Sequence, residues 1–135
     1  MGLRNKIIII LLLLLSLNGY AKEDYFLMTS TGYTNHKVCI ADKWRDGKTA
    51  INTPIRKGVV AINVRLNNNK WIINSILNLG QKIHIEGLGE FKVEDTGTFT
   101  GNAQKDKWNI DIYFDTLEEA KNWGVKLVKV FVIGG

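Results

Sequence analysis

Cysteine and histidine are scarce in this chain, which contains only Cys39, His36 and His84. A single cysteine cannot form a disulfide within the chain, so the fold must be stabilised by its apolar core. One thiol and two imidazoles also make the nitrogen and sulfur ligand set of a zinc site hard to assemble. We therefore predict no internal disulfide, no metal and no cofactor.

Motifs of several large enzyme classes are missing as well. The sequence has no Ser-His-Asp order, no nucleophile elbow and no phosphate-binding glycine loop. Its charges alternate, as in Lys92-Val93-Glu94-Asp95, and do not form a basic stripe. Binding to a phosphate backbone needs concentrated positive charge, so we predict no nucleic-acid partner.

The longest apolar run is short and lies near the beginning of the chain. A basic head with Arg4 and Lys6 precedes the run at 7–15, and the small residues Gly19 and Ala21 follow it. This order is typical of a secretory signal peptide at residues 1–21. A membrane-spanning helix needs roughly 20 apolar residues, so an uncleaved anchor is the weaker alternative. No cysteine follows the run, so a lipid anchor is not indicated.

Removal of residues 1–21 would leave one modest domain at 22–135. The loss of Arg4 and Lys6 lowers the formal net charge from +5 to +3, which is only mildly basic. We predict an exported monomer, in the periplasm or the cell wall, with no stable membrane insertion.

Most of the remaining sequence has the alternation and turn spacing of short strands. The predicted strands are Tyr25 to Tyr33, Val59 to Asn63, Trp71 to Asn74, Lys82 to Glu86, Phe91 to Asp95, Ile110 to Phe114, and Leu127 to Ile133. Turn-forming residues separate them, and Asn67-Asn68-Asn69 is predicted as a hairpin tip. The pattern indicates a mainly β fold, either a closed barrel or a sandwich.

One segment near the C-terminus, at 115–124, has apolar residues at helical spacing and Gly124 where a helix would end. Asp115 and Thr116 each have a glutamate three residues later, so both fit the spacing of a capping box. We predict one short helix here. We also predict that Asp115 is a helix cap and not a catalytic residue.

Asp95 lies at the end of a predicted apolar strand face that alternation gives to Phe91, Val93 and Asp95. The carboxylate is either a turn acceptor for Thr96-Gly97 or a group at the mouth of a core. In the second case partial desolvation would raise its pKa.

Asp111 lies on the opposite face of its strand from Ile110 and Ile112, together with Tyr113. A solvated outer face is the simpler explanation, although aspartate is depleted in the middle of strands. Spacing alone does not show whether Asp95 and Asp111 meet.

Tryptophans offer candidate stacking surfaces for a sugar. Trp44 and Trp108 stand among charged residues in predicted loops, which makes them the better ligand candidates. Trp123 lies on the apolar face of the predicted helix and is assigned to the core.

Three blocks in order resemble the three-aspartate, or 3D, domain family. They are "TGYTNHKVCIADKWRDGKTAINTPIRKGVVAIN", "LNLGQKIHIEGLGEFKVEDTG" and "NIDIYFDTLEEAKNWGVKLVKVFVI". That family is similar to the catalytic domain of membrane-bound lytic transglycosylase A and to stationary-phase peptidoglycan-cleaving proteins. The resemblance implies a six-stranded double-psi β-barrel with one short α-helix. It also implies lytic transglycosylase activity on peptidoglycan glycan strands, leaving 1,6-anhydro-MurNAc ends.

The resemblance also implies roles for individual residues. Asp111 falls at the position of the catalytic acid and Asp95 at that of its supporting carboxylate. The family's first aspartate is replaced by Asn63, which we expect to act as a hydrogen-bond partner. The remaining expected substrate contacts, beside Trp44 and Trp108, are Tyr113, Thr96 and Gly97.

A single carboxyl group is enough for this chemistry. It protonates the leaving oxygen of the MurNAc to GlcNAc bond and then takes the proton of the muramyl C6 hydroxyl, so Asp111 must begin protonated. Burial and the nearby Asp95 charge would raise its pKa. Because Asn63 lacks the charge, a non-catalytic glycan-binding module is one alternative. A glycoside hydrolase using Asp95 and Asp111 as its two carboxylates is the other.

Overall fold

The computed structural model describes residues 24–135, and these form seven β-strands, one α-helix and two 3-10 helices. In chain order they are β1 (Phe26–Tyr33), a 3-10 helix (Asp42–Trp44), β2 (Val59–Asn67), β3 (Lys70–Ile73), β4 (Lys82–Ile85), β5 (Gly89–Gly97), a 3-10 helix (Gly101–Gln104), β6 (Asn109–Tyr113), α1 (Leu117–Trp123) and β7 (Lys126–Gly134). The mainly β prediction is confirmed. The predicted signal peptide at 1–21 lies outside the described residues. Within 24–135, no helix is long and apolar enough to cross a membrane.

Six strands form a closed ring of backbone pairings, in the order β2, β5, β4, β7, β1, β6 and back to β2. The pairs β1–β6 and β2–β5 are parallel, and the other ring pairs are antiparallel. β3 stands outside the ring and pairs with the last part of β2. Each ring strand therefore has a partner on both edges, which avoids the exposed hydrogen-bonding groups of an open sheet.

Alternate residues of the ring strands, together with Leu77 from the connection between β3 and β4, form the main apolar core. Its buried members are Met28, Val60, Ile62, Leu77, Ile83, Ile85, Val93, Ile110, Ile112, Val128 and Val130. Burying one such side chain contributes about 1.5–3 kcal/mol. In a chain with a single cysteine, this core is the main source of stability.

The hairpin tip predicted at Asn67-Asn68-Asn69 is confirmed. Asn67 pairs with Lys70, so Asn68 and Asn69 form a two-residue turn between β2 and β3. Both have positive φ, at 50° and 62°. Asparagine tolerates this left-handed backbone, which matches the twist of the adjoining strands.

The N-cap of α1 is Thr116, so the prediction that Asp115 caps the helix is wrong. The backbone N–H of Glu119 donates to Thr116 Oγ1 at 3.1 Å. Asp115 lies one residue earlier, with Lys57 Nζ at 3.5 Å from its Oδ2. Asp115 and Thr116 both satisfy the capping-box spacing. Thr116 is the cap because the helix begins at the next residue, Leu117.

α1 packs closely on β1 at Gly32. A Cβ built on Gly32 would lie 2.8 Å from the carbonyl oxygen of Ala120 and 3.0 Å from Phe114 Cε2. Trp123 packs against the core, as predicted, and its Nε1–H donates to Ser30 Oγ at 3.1 Å. The absence of a side chain at Gly32 therefore allows the helix to reach the strand.

We expect Gly32→Ala to lower the free energy of unfolding by about 1–3 kcal/mol, since the added methyl group meets backbone atoms that must shift. Gly134→Ala is the matched control, because a Cβ there would meet only Lys82 Cβ, at 3.8 Å. Urea unfolding of both variants measures the difference. Equal stability of the two variants would contradict the close contact between α1 and β1.

Candidate functional site

A β-bulge in β5 decides which way Asp95 points. Val60 of β2 lies opposite Val93, but the next residue, Ala61, lies opposite Asp95, so Glu94 is an extra residue. Val93 is in the core, whereas Asp95 is on the outer face of the ring. The prediction that Val93 and Asp95 share a face is wrong, because simple alternation does not allow for the extra residue.

Asp95 and Asp111 lie on either side of the same residue. Ala61 pairs with Asp95 of β5 on one edge of β2 and with Asp111 of β6 on the other. Two strand spacings separate the Cα atoms of the aspartates, about 10 Å. The ring thus brings the two predicted carboxylates into one site.

This outer face is covered by residues 34–58, which we call the covering segment. Tyr33, Ala61 and Tyr113 belong to a second buried cluster on that face, and Ile40 and Ile55 of the covering segment pack against it. Tyr113 is only 9% exposed. A solvated outer face is therefore the wrong explanation for Asp111 and Tyr113.

Asp95 accepts three hydrogen bonds. The hydroxyl of Tyr33 donates to Oδ2 at 2.8 Å, and the backbone N–H groups of Ala50 and Thr96 donate to Oδ1 at 3.0 and 2.9 Å. Burial raises the pKa of Asp95, and these hydrogen bonds act in the opposite direction because they stabilise the charged form. The turn-acceptor explanation accounts only for the contact with Thr96.

Asp111 is positioned by a hydrogen bond from a residue of β1. The hydroxyl of Thr31, its partner in the parallel β1–β6 pairing, donates to Oδ1 at 3.0 Å. The pKa of Asp111 is raised to about 6, mainly because the carboxyl group is buried. The Thr31 hydrogen bond opposes this rise, and the negative charge of Asp95 adds to it. Asp111 is therefore a carboxyl group that exchanges its proton close to neutral pH.

Glu94, the extra residue of the bulge, binds two residues of the covering segment. It accepts hydrogen bonds at 2.8 Å from Thr53 Oγ1 and from Arg56 Nη1, and a third from Arg56 Nη2 at 3.2 Å. The Arg56 guanidinium holds the pKa of Glu94 below its usual value. Two consecutive carboxylates of β5, Glu94 and Asp95, thus contact the same segment.

Nothing in the sequence alone singles out Tyr33 and Thr31. Burial and the adjacent Asp95 raise the pKa of Tyr33, which keeps its hydroxyl a donor. Its ring also meets Tyr113 edge-on, with centroids 5.6 Å apart. The two residues alternate on one face of β1, but the sequence gives no sign that β1 pairs in parallel with β6 and so places them beside the aspartates.

Asn63 is fully buried and holds the loop between β5 and β6. Its Nδ2 donates to the carbonyl oxygen of Gln104 at 2.9 Å, and its Oδ1 accepts from the backbone N–H of Phe99 at 3.1 Å. Asn74 Nδ2 donates to the same carbonyl at 2.9 Å. Both ends of the Asn63 amide are thus used to position this loop.

The two tryptophan candidates lie in different positions relative to the carboxylates. Trp108 packs edge-on against Phe26, with centroids 5.8 Å apart, and shares the core-facing alternation of Ile110. This places it on the other face from Asp111. Trp44 lies in the covering segment and is 66% exposed, and Lys43 Nζ lies 5.2 Å from the centroid of its ring.

The remaining predicted substrate contacts lie along β5 after Asp95. Thr96 lies opposite Ile62, and Gly97 lies opposite Asn63. The ring of Phe99 is 3.7 Å from where a Cβ of Gly97 would be. Two of the predicted substrate contacts therefore adjoin the carboxylate site. Tyr113 packs against Tyr33, and Thr96 donates its backbone N–H to Asp95.

No family model matches the chain. It is 35% identical over 82 residues, 56% of its length, to cell wall-binding protein YocH of Bacillus subtilis. It is 33% identical over 76 residues, 53% of its length, to the "Putative cell wall shaping protein YabE" of the same organism. The matched regions cover 26% and 17% of those proteins, so the chain spans about a quarter or less of the curated relatives it matches.

Asp111→Asn is expected to stabilise the protein in a pH-dependent way. A folded pKa of about 6, raised from 3.8, means that ionising Asp111 opposes folding, so its contribution to stability is lost as pH rises from 4 to 6. The variant should gain up to about 3 kcal/mol in unfolding free energy at pH 8 and little at pH 4. Urea unfolding at both pH values measures this. Asp115→Asn, at an exposed ion pair, is the control, and an equal gain at both pH values for Asp111→Asn would contradict the raised pKa.

Asn63→Asp should destabilise the protein. The change removes the Nδ2–H donor to Gln104 and places a carboxylate at a fully buried position, so we expect a loss of about 2–4 kcal/mol at pH 7. Asn122→Asp makes the same change at an exposed position of α1 and should stay within about 0.5 kcal/mol of the parent. Thermal or urea unfolding compares them. A fully stable Asn63→Asp protein would show that the amide is not needed to hold the loop.

Proposed function

We propose that this chain is an exported cell-wall enzyme of the 3D domain family, a lytic transglycosylase that cleaves peptidoglycan glycan strands. The closed ring of six strands supports the double-psi β-barrel that this family implies. The similarity to one protein named for cell-wall binding and one named for cell-wall shaping supports a role at the wall. The predicted signal peptide supports export.

The observation that carries the proposal is the pair of covered carboxylates beside Ala61, one of which has a pKa of about 6. A general acid is most useful when its pKa is near the working pH, because it is then both present in its acid form and ready to give up the proton. Asp111 meets this condition, and Asp95 remains the more strongly hydrogen-bonded carboxylate.

Asp111 gives its proton to the oxygen that links MurNAc to GlcNAc, and the bond from that oxygen to the muramyl C1 breaks. The resulting Asp111 carboxylate takes the proton of the C6 hydroxyl, whose oxygen closes the 1,6-anhydro ring on C1. Positive charge develops on the sugar ring between these steps. The Asp95 carboxylate, oriented by Tyr33 and two backbone N–H groups, stabilises that charge.

A non-catalytic glycan-binding module is the second candidate. Asn63 favours this candidate, because it replaces the first of the three aspartates of the resembled family. Both ends of its amide also bind the loop between β5 and β6. The name of YocH also refers to binding. A two-carboxylate glycoside hydrolase is the third, since Asp95 and Asp111 are both within the site.

Mass spectrometry of the products from purified peptidoglycan tests the proposal. We expect anhydro-muramyl ends from the parent protein and at least a hundredfold slower release from Asp111→Asn, since general acid catalysis contributes about 10²–10⁴ in rate. Asp115→Asn is the control, because it removes an exposed carboxylate that pairs with Lys57.

Reducing ends in place of anhydro ends would identify a hydrolase. No products, from protein that still sediments with the wall, would leave the binding module. Release that is unchanged in Asp111→Asn would remove Asp111 from the mechanism.

A further inference from the structure

A groove of about 310 Å³ lies between the beginning of β5, β4 and the end of the covering segment. Its charged lining residues are Arg56, Lys57, Lys82, Lys92 and Glu90. Four cations and one carboxylate give it a net positive charge. The groove is separate from the carboxylate site, and the proposed reaction makes no use of it.

Two of the four cations already have carboxylate partners. Arg56 binds Glu94 through both terminal nitrogens. Lys57 Nζ lies 3.5 Å from Asp115 and 3.7 Å from Glu119. Their charges are largely neutralised within the protein.

Lys82 and Lys92 are in a different situation. They lie directly opposite each other in the antiparallel β4–β5 pairing. Like charges at such positions repel and destabilise the sheet. Among residues 24–135, neither ammonium group forms a salt bridge. An external anion bound between them would relieve this repulsion.

We propose that this groove binds the carboxylates of the peptidoglycan stem peptide, an inference that rests on the proposed function. Glu90 decides between a peptide and a phosphate polymer. It lies two residues before Lys92 in β5, so the two side chains share a face of the strand. A carboxylate repels a purely anionic phosphate chain. It accepts an amino group, so the groove fits an oligopeptide with more carboxylates than amines.

The groove is also close to the candidate site. Asp95 follows Lys92 by three residues of β5, about 10 Å along an extended strand. Arg56 joins the two regions, because it lines the groove and holds Glu94, the neighbour of Asp95. A stem peptide in the groove would thus keep its own glycan strand near Asp95 and Asp111.

The test is a sedimentation binding curve on insoluble peptidoglycan stripped of phosphate polymers, with Asp111→Asn protein so that the substrate stays intact. Adding Lys82→Gln and Lys92→Gln should weaken binding about tenfold, the loss expected for a charge-assisted contact of about 1.4 kcal/mol. Binding to peptide-free glycan should change no more than twofold. Lys70→Gln with Lys121→Gln removes the same charge at exposed positions outside the groove and should leave both curves unchanged.

Equal weakening on intact and peptide-free glycan, or an equal effect of the control pair, would overturn the proposal in favour of general electrostatic attraction. A loss seen only on wall that retains its phosphate polymers would overturn it in favour of a phosphate ligand. Urea unfolding of the groove variant checks that it is folded. Product analysis of the parent protein is a separate readout, so normal anhydro products together with unchanged binding of the groove variant would refute the groove and keep the proposed function.

Discussion

The double pairing of β2 is the constraint on which the site depends. One edge of this strand pairs in parallel with β5 and the other pairs antiparallel with β6, so that Ala61 faces Asp95 on one side and Asp111 on the other. The same pairings close the ring around the aliphatic core. The same backbone pairings therefore both enclose the core and place the two carboxylates.

The covering segment contributes packing and a hydrogen-bond donor to this site. It packs Ile40 and Ile55 on the outer cluster and supplies the Ala50 N–H to Asp95. Burial raises the pKa values of both aspartates, but the two carboxyl groups differ in their hydrogen bonds. Asp95 accepts hydrogen bonds from three donors, whereas Asp111 accepts one from the Thr31 hydroxyl. Because these donors stabilise the charged form, Asp111 is the carboxyl group that holds its proton more readily.

Local patterns in the sequence predicted the strands, the Asn68-Asn69 turn and the short helix, because each depends on residues close together in the chain. Simple alternation gives the wrong face for Asp95, because nothing in the sequence marks the bulge at Glu94. The sequence does not reveal Tyr33 and Thr31, because their importance comes from contacts with Asp95 and Asp111, which lie 62 and 80 positions later. The loop-holding role of Asn63 likewise depends on a carbonyl 41 residues later.

The position of β1 in the ring has a consequence for biosynthesis. This strand is the first among residues 24–135, and it pairs with β6 and β7, the last two strands of that range. The ring cannot close until residues 126–134 have left the ribosome, and pairings between such distant segments form slowly. The ring therefore stays open until β6 and β7 are both available to pair with β1.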